Sequence, residues 1–218
     1  IPAGAAAGAF SAEAAMVLVR ERGRAMAETA SRTATSMTAV IGGDADEVLA
    51  AIEAAGLTPA NHNGKGQVVA AGTVEQLEAF AAKPPSRTRL FPLSVAGAFH
   101  TVHMEPAVDH LREVAAAMPT TTPSVALLSN LDGNVVTDGR EFANRLVNQV
   151  AHPVRWDLCM DTMVKRSVTG LLELAPAGTL TGIAKRNLKG VELFNLNTPD
   201  QIPAAREFVA AHSSKENA

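Results

Sequence analysis

The spacing of apolar positions changes several times along this chain, and each change predicts an element. Residues 1–10, IPAGAAAGAF, are small enough to let a short helix pack closely against a neighbour. Ser11 stands where an N-cap is expected, with Glu13 in the first turn, and a helix is predicted from there to about Ala30. From 37 the pattern changes: MTAVI (37–41) predicts a strand. Asp44 and Glu47 resemble a capping box opening the helix DADEVLAAIEAA, which Gly56 stops. LTPANHN (57–63) is expected to be extended, GKG (64–66) a turn and QVVAA (67–71) a strand. Thr73 and Gln76 form a second box for the helix TVEQLEAFAA, which Pro84 and Pro85 end before the strand RTRLFPLSV (87–95). The resulting order, β-α-β-β-α-β, is the split βαβ plan of ferredoxin-like folds and places a small inserted domain at about 37–96.

Beyond that insertion helices alternate with apolar strands. A helix is predicted at about 102–118, the strand SVALLS at 124–129, a turn at Asp132-Gly133, and helices at 139–150 and 154–166. Then come the strand TGLLEL (169–174), a helix opening near Gly178, the strand VELFNL (191–196) and a helix near 199–211. Apolar strands alternating with helices predict a parallel sheet covered on both faces. The fold class is therefore α/β, with 1–36 and 97–218 assigned to the core. The polar tail SSKENA is expected to fray.

Composition narrows the function classes. The 218 residues are 47% hydrophobic and 19% charged, as in a soluble globular protein. A net charge of −3 gives no reason to expect a nucleic-acid partner. No run of about 20 apolar residues occurs, so no membrane span is expected. The single cysteine, Cys159, cannot form an intrachain disulfide, which fits a reducing cytosol. It lies among apolar residues of a predicted helix and reads as core, not nucleophile.

Arg22 is the first candidate for chemistry. On a helical wheel it lies in the middle of a face with Ala15, Leu18, Val19, Ala25, Met26 and Thr29. A guanidinium on an apolar stripe needs an anion. The commoner solution is an internal salt bridge or a snorkelling side chain. The other is a fork that grips a substrate carboxylate. His100, in VAGAFHTVHM (95–104), follows a strand and a glycine-containing loop and precedes a helix, a position suited to proton transfer near neutral pH. Most histidines are structural, and six are present. His100 and His103 lack a clear third metal ligand, so no metal is expected. Asn61, Asn63 and Gln67 flank the GKG turn and read either as turn chemistry or as ligand contacts. Gln149 ends a helix before a proline. The start of the helix after strand 169–174 is a candidate anion site.

Taken together, LVRERGRAM (18–26), NHNGKGQVVAAG (61–72), GAFHTVHMEPA (97–107), LLSNLDG (127–133), NQVAHPVRWDLC (148–159) and ELAPAGTLTGIAKR (173–186) resemble the malonyl-CoA:acyl-carrier-protein transacylases of type II fatty acid synthesis, in family order. The actinobacterial members look closest. The resemblance implies an α/β-hydrolase-like parallel-sheet core, incomplete in this chain, with a ferredoxin-like insertion. It implies that a serine on a G-H-S-x-G elbow attacks the malonyl thioester, that His100 is its general base, and that the Gln149 backbone carbonyl orients His100. Arg22 would hold the malonyl carboxylate, and Asn61, Asn63 and Gln67 would contact substrate. Phe99, directly before the histidine, implies malonyl over methylmalonyl, because a ring beside the acyl α-carbon leaves no room for a branch. No resident cofactor is implied. Malonyl-CoA is the expected substrate, and the acceptor is the phosphopantetheine thiol of an acyl carrier protein partner. The intact enzyme is expected to be monomeric and cytoplasmic.

The sequence departs from that family in lacking any G-x-S-x-G motif and the family's N-terminal glycine- and glutamine-rich loop. Ser11, Ser94 and Ser129 have no elbow glycines and do not substitute. The expectation is a C-terminal portion that begins just after the elbow, inactive and poorly soluble alone. Two alternatives are a non-catalytic relative that binds coenzyme A or carrier protein, and the acyltransferase domain of a polyketide synthase system.

Overall fold

A computed structural model describes residues 1–213. The chain divides into two compact units, Ile1–Cys159 and the residues from Met160 onward. The expected fraying of the tail concerns residues that, from Ser214 onward, lie outside the described part.

Along the chain the elements are α1 (Pro2–Ala6), α2 (Ala12–Ala30), β1 (Thr35–Gly42), α3 (Ala45–Ala54), β2 (Thr58–His62), β3 (Gln67–Thr73), α4 (Val74–Ala82) and β4 (Thr88–Pro92). A 3₁₀ helix (Val102–Ala107) leads into α5 (Val108–Ala116), followed by β5 (Leu127–Leu128), β6 (Val135–Val136), α6 (Gly139–Asn148), β7 (Val154–Arg155) and α7 (Trp156–Lys165). Then come β8 (Gly170–Leu174), α8 (Thr179–Asn187), β9 (Glu192–Leu196), a 3₁₀ turn (Pro199–Gln201) and α9 (Ile202–His212).

Local chemistry sets most of these boundaries. Ser11 Oγ accepts the Ala14 amide at 3.1 Å and starts α2. At α4 the capping box is complete: the Thr73 hydroxyl accepts the Gln76 amide (3.2 Å) and the Gln76 side chain accepts the Thr73 amide (2.9 Å). At α3 only half of the expected box forms. Asp44 accepts the Asp46 and Glu47 amides, and this carboxylate caps the helix alone.

The first unit is organised round a sheet in the order β4-β1-β3-β2-β7. Its first four strands are antiparallel, with Met37 opposite Ala71 and Ala39 opposite Phe91. That is the ferredoxin-like arrangement. Side chains alternate along these strands, and both faces are buried. Val40 and Ala70 join Val48, Ile52, Leu77 and Phe80 beneath α3 and α4. Met37, Ala39, Val69 and Ala71 face the other way, against Ala98 and part of Phe99. The histidine-bearing loop is thus laid against the back of the sheet. A further cluster joins α2, α5 and α6 through Leu18, Met26, Leu111 and Phe142.

Three elements differ from the sequence expectation. Val154–Arg155 is not helical: it adds a parallel strand to the sheet, with Val154 opposite Asn61 and Arg155 opposite His62. Pro153 cannot donate to a helix, the following Val154 is β-branched and buried, and β2 offers an open edge. Strand 124–129 shrinks to Leu127–Leu128, hairpinned with β6. The turn responsible has Gly133 at φ 71° and the Asn134 amide donating to Asp132 Oδ1 at 3.0 Å. The helix predicted from 102 opens as a 3₁₀ segment because Pro106 lies within it.

In the second unit β8 and β9 pair in parallel, from Gly170–Glu192 to Leu174–Leu196. The expected anion site at the start of α8 is filled by the chain itself. Glu173 Oε2 accepts the Gly178 and Thr181 amides and the Thr181 hydroxyl (2.9, 2.8 and 2.9 Å), and Oε1 accepts the Leu180 amide at 2.9 Å. Burial pushes the Glu173 carboxyl up, but the hydrogen bonds from Thr181, Leu180 and Gly178 outweigh it and hold the carboxyl below its ordinary value of 4.5. Its stabilising contribution is therefore fully present above that ordinary value and is lost as pH falls further, through the lowered folded value. Glu173→Gln turns an amide NH2 toward these donors and is expected to cost about 3 kcal/mol in urea unfolding of the second unit. Loss of a few tenths would mean that the amides find other acceptors.

Candidate active site

Helix α2 carries the first component. Ala15, Leu18, Met26 and Thr29 form its buried stripe, and Arg22 lies half-buried among them. Val19, expected on that face, is 42% exposed at its margin. The commoner expectation for Arg22, an internal salt bridge, is not met. Glu21, its neighbour, pairs instead with Arg20, Arg24 and His110 on the outer face. Among the described residues no carboxylate pairs with Arg22, and burial alone pulls its guanidinium below the ordinary value. A half-buried guanidinium with no carboxylate partner among the described residues makes this a place where an anion would be stabilised.

His100 is the second component. It follows the buried Ala98 and adopts φ 62°, a left-handed backbone uncommon for a residue with a side chain. Its amide donates to the Val150 carbonyl at 3.0 Å, and its ring Nδ1 lies 2.6 Å from the Gln149 carbonyl. A carbonyl only accepts, so Nδ1 carries the proton and the neutral ring keeps its lone pair on Nε2. That is the tautomer a general base needs. Burial, the largest influence, holds the imidazole below 6.5; the Gln149 bond pulls upward and the Arg22 charge downward again. The Gln149 side chain serves the same loop, its Nε2 donating to the His152 and Pro153 carbonyls at 2.9 and 2.8 Å.

A cleft of about 440 Å³ brings these parts together, lined by Arg22, Met26, Ala30, Ala96, Phe99 and His100 among others. Apart from Arg22 and His100, those walls are apolar. Phe99 packs against both the helical cluster and the back of the sheet. Gly97 permits this approach: a Cβ there would lie 3.0 Å from Ala30 Cβ and 3.3 Å from the Phe99 ring. Asn61, Asn63 and Gln67 do not line this cleft. They lie on the β2–β3 hairpin, where the Asn63 amide donates to the Gln67 carbonyl at 3.0 Å. Ser31 lines the cleft, but its hydroxyl donates to the Glu28 carbonyl at 2.7 Å. Cys159 is fully buried, and burial, with Asp157 and Asp132, raises its thiol to about 12, which removes it as a nucleophile near neutral pH. Among the described residues no cluster of His, Cys, Asp and Glu has the make-up to hold a metal ion. No helix among them is long and apolar enough to cross a membrane.

The model of the acyl transferase domain matches residues 1–207. The chain belongs to the acyl transferase domain family. Among individual members it is similar to the malonyl CoA-acyl carrier protein transacylase of Mycobacterium tuberculosis, 46% identical over 199 residues, which are 91% of this chain and 66% of that protein. It also resembles the crystal structure of MCAT from M. tuberculosis, with a TM-score of 0.89 and 45% identity over 92% of this chain and 66% of the other. A type II PKS acyl-carrier protein in complex with its malonyl-transacylase matches with a TM-score of 0.84 and 29% identity, over 93% of this chain and 68% of that one. The chain thus spans just under two thirds of the length of the M. tuberculosis relative.

Within this acyl transferase domain, sequence patterns located Arg22 and His100, and the resemblance added Phe99; the fold brings all three to one cleft. They missed the groups that hold the histidine loop: the Val150 carbonyl and the hydroxyls of Thr35 and Thr101. Thr101, directly after His100 and before a helical segment, carried a signal as an N-cap. Thr35 carried none, because its partner lies 63 residues away.

Proposed function

We propose that this domain serves an enzyme that moves a malonyl group from coenzyme A to the phosphopantetheine thiol of an acyl carrier protein. The observation that carries the reading is the shared cleft of Arg22, a guanidinium without a carboxylate among the described residues, and His100, whose Nδ1 is held by the Gln149 carbonyl so that the neutral ring keeps its lone pair on Nε2. The kinship with malonyl transacylases supports it.

The chemistry follows from these groups. Arg22 donates two parallel hydrogen bonds to the free malonyl carboxylate, placing the thioester at the other end of a three-carbon acyl group. His100 Nε2 takes the proton of a hydroxyl as its oxygen attacks the thioester carbonyl. The tetrahedral adduct collapses, the C–S bond breaks, and the imidazolium returns the proton to the coenzyme A sulfur. The carrier thiol then gives its proton to His100, attacks the acyl ester, and regenerates the hydroxyl. The proposal places that hydroxyl on a serine outside residues 1–218, since no serine here has the flanking glycines of an elbow. Asn61, Asn63 and Gln67 enter only as contacts for a part of the substrate outside this cleft. Coenzyme A thioesters and carrier proteins place the reaction in the cytoplasm.

The test is to incubate the intact enzyme with malonyl-CoA, map the acylated residue by mass spectrometry, and then add holo acyl carrier protein. A malonyl ester on a serine outside this chain, discharged onto the carrier, is expected. A chain that binds malonyl-CoA without ever forming an acyl-enzyme would be a binding relative and not a transferase. Carriers from fatty acid and polyketide synthesis tested side by side separate the two pathways, a comparison prompted by the polyketide carrier complex among the structural relatives.

A further inference from the structure

Both ends of the residue Ala98, two positions before His100, are held by threonine hydroxyls. Its amide donates to Thr35 Oγ1 at 2.9 Å, and its carbonyl accepts from Thr101 Oγ1 at 2.6 Å. Thr101 Oγ1 in turn accepts the His103 amide at 3.2 Å. These groups are sealed from water: Ala98 is 0%, Thr101 1% and Thr35 7% exposed. The Thr101 bond to the Ala98 carbonyl closes a turn whose central residues are Phe99 and His100, with His100 in its left-handed backbone at φ 62°. Such a conformation persists only where the surroundings impose it. Three bonds do so: the Thr35 and Thr101 contacts from one side and the His100 amide to the Val150 carbonyl from the other.

We infer that Thr35 and Thr101 are positioning residues for His100, and that Thr35, as the first residue of β1, makes the ferredoxin-like sheet part of the machinery that aims the histidine. The inference rests on the reading of His100 as the general base. Its physical content is the short bond between Nδ1 and the Gln149 carbonyl, which needs the ring placed within a few tenths of an ångström. Replacing the Thr35 hydroxyl by a methyl leaves the Ala98 amide buried with no acceptor. The peptide relieves this by turning toward another acceptor, and Phe99 and His100 turn with it. A serine at the same position keeps the acceptor and loses only a methyl group.

The experiment compares Thr35→Val with Thr35→Ser, and Thr101→Val with Thr101→Ser, in the intact enzyme. One readout is the downfield NMR resonance of the His100 Nδ1 proton; the other is kcat and KM for malonyl transfer. The valine variants are expected to lose or broaden that resonance and to lower kcat by about 10–100-fold with KM for malonyl-CoA unchanged. The serine variants should restore both. Valine variants with a parental resonance and kcat would overturn the inference. So would parallel loss in valine and serine forms that tracks a lower Tm, since a merely structural threonine behaves that way. If the resonance follows the hydroxyl but neither parent nor variants transfer malonyl, the positioning role stands and the malonyl reading falls. Should Thr35→Val fail to fold, the Thr101 pair decides by the same criteria.

Discussion

Replacing His100 by alanine is expected to slow formation of the acyl-enzyme by about 10²- to 10⁴-fold, the usual worth of a positioned general base. Alanine also forces a Cβ to stay at φ 62° without the ring bond that supports it, so the backbone can relax. His100→Asn separates the two effects. Asparagine tolerates the left-handed region and can still donate to the Gln149 carbonyl, but it has no lone pair basic enough to accept the proton. Equal loss in both variants assigns the effect to the missing base; near-normal acylation in either removes His100 from the mechanism. The pH dependence carries a sign. Burial and then Arg22 favour the neutral ring, against the pull of the Gln149 carbonyl, and the net value is below 6.5. The base is therefore ready throughout the neutral range, and kcat/KM should decline only as pH falls below 6.5. A profile already falling between pH 8 and 7 would mean that the imidazole is charged where the geometry makes it neutral.

How much of this was legible in the sequence depends on the distance over which each choice is made. Ser11, Thr73 with Gln76, and Asp132-Gly133 act within four residues, and the boundaries they set appeared where expected. The strand order β4-β1-β3-β2 followed from the succession of elements, because β-α-β-β-α-β has few unknotted closures. Val154–Arg155 was misread as helix because what makes it a strand is the open edge of β2, more than 90 positions away, which no local pattern contains. Glu173 was missed for a related reason. The anion-binding character of the α8 start was legible, but not that a carboxylate within the same strand–turn–helix would satisfy it.

The site divides in the same way. The helical wheel showed that Arg22 needs an anion but left two sources open, and only the fold reveals that the neighbouring carboxylate, Glu21, turns outward to Arg20, Arg24 and His110. His100 stood out by its loop and the resemblance pointed to the Gln149 carbonyl, 49 residues further on, but only the fold puts that carbonyl at Nδ1, where it sets the tautomer. Phe99 is the case where sequence and structure converge. The resemblance marked it as a selector of acyl groups, and the fold sets its ring in the wall of the cleft that Arg22 and His100 share.

Arg22→Ala should lower kcat/KM for malonyl-CoA by about 100-fold or more while leaving acetyl-CoA nearly unaffected or improved. The size follows from losing a bidentate, charge-assisted pair in a half-buried site, about 3 kcal/mol. The difference between donors follows from the cleft. Without Arg22 its remaining lining, Met26, Ala30, Ala96 and Phe99 among them, is largely apolar. A malonyl carboxylate would then lose water without gaining a partner, whereas an acetyl methyl loses nothing. Arg22→Lys keeps the charge but not the planar fork, so it should fall between the two, with a larger loss of orientation than of binding. The two largest effects are coupled through electrostatics. Arg22 holds the His100 pKa down, so its removal should move the acid limb of the acetyl profile to higher pH. Equal losses toward malonyl and acetyl donors would reject the clamp. An unmoved acid limb would mean that the guanidinium and imidazole are farther apart in solution than in this fold.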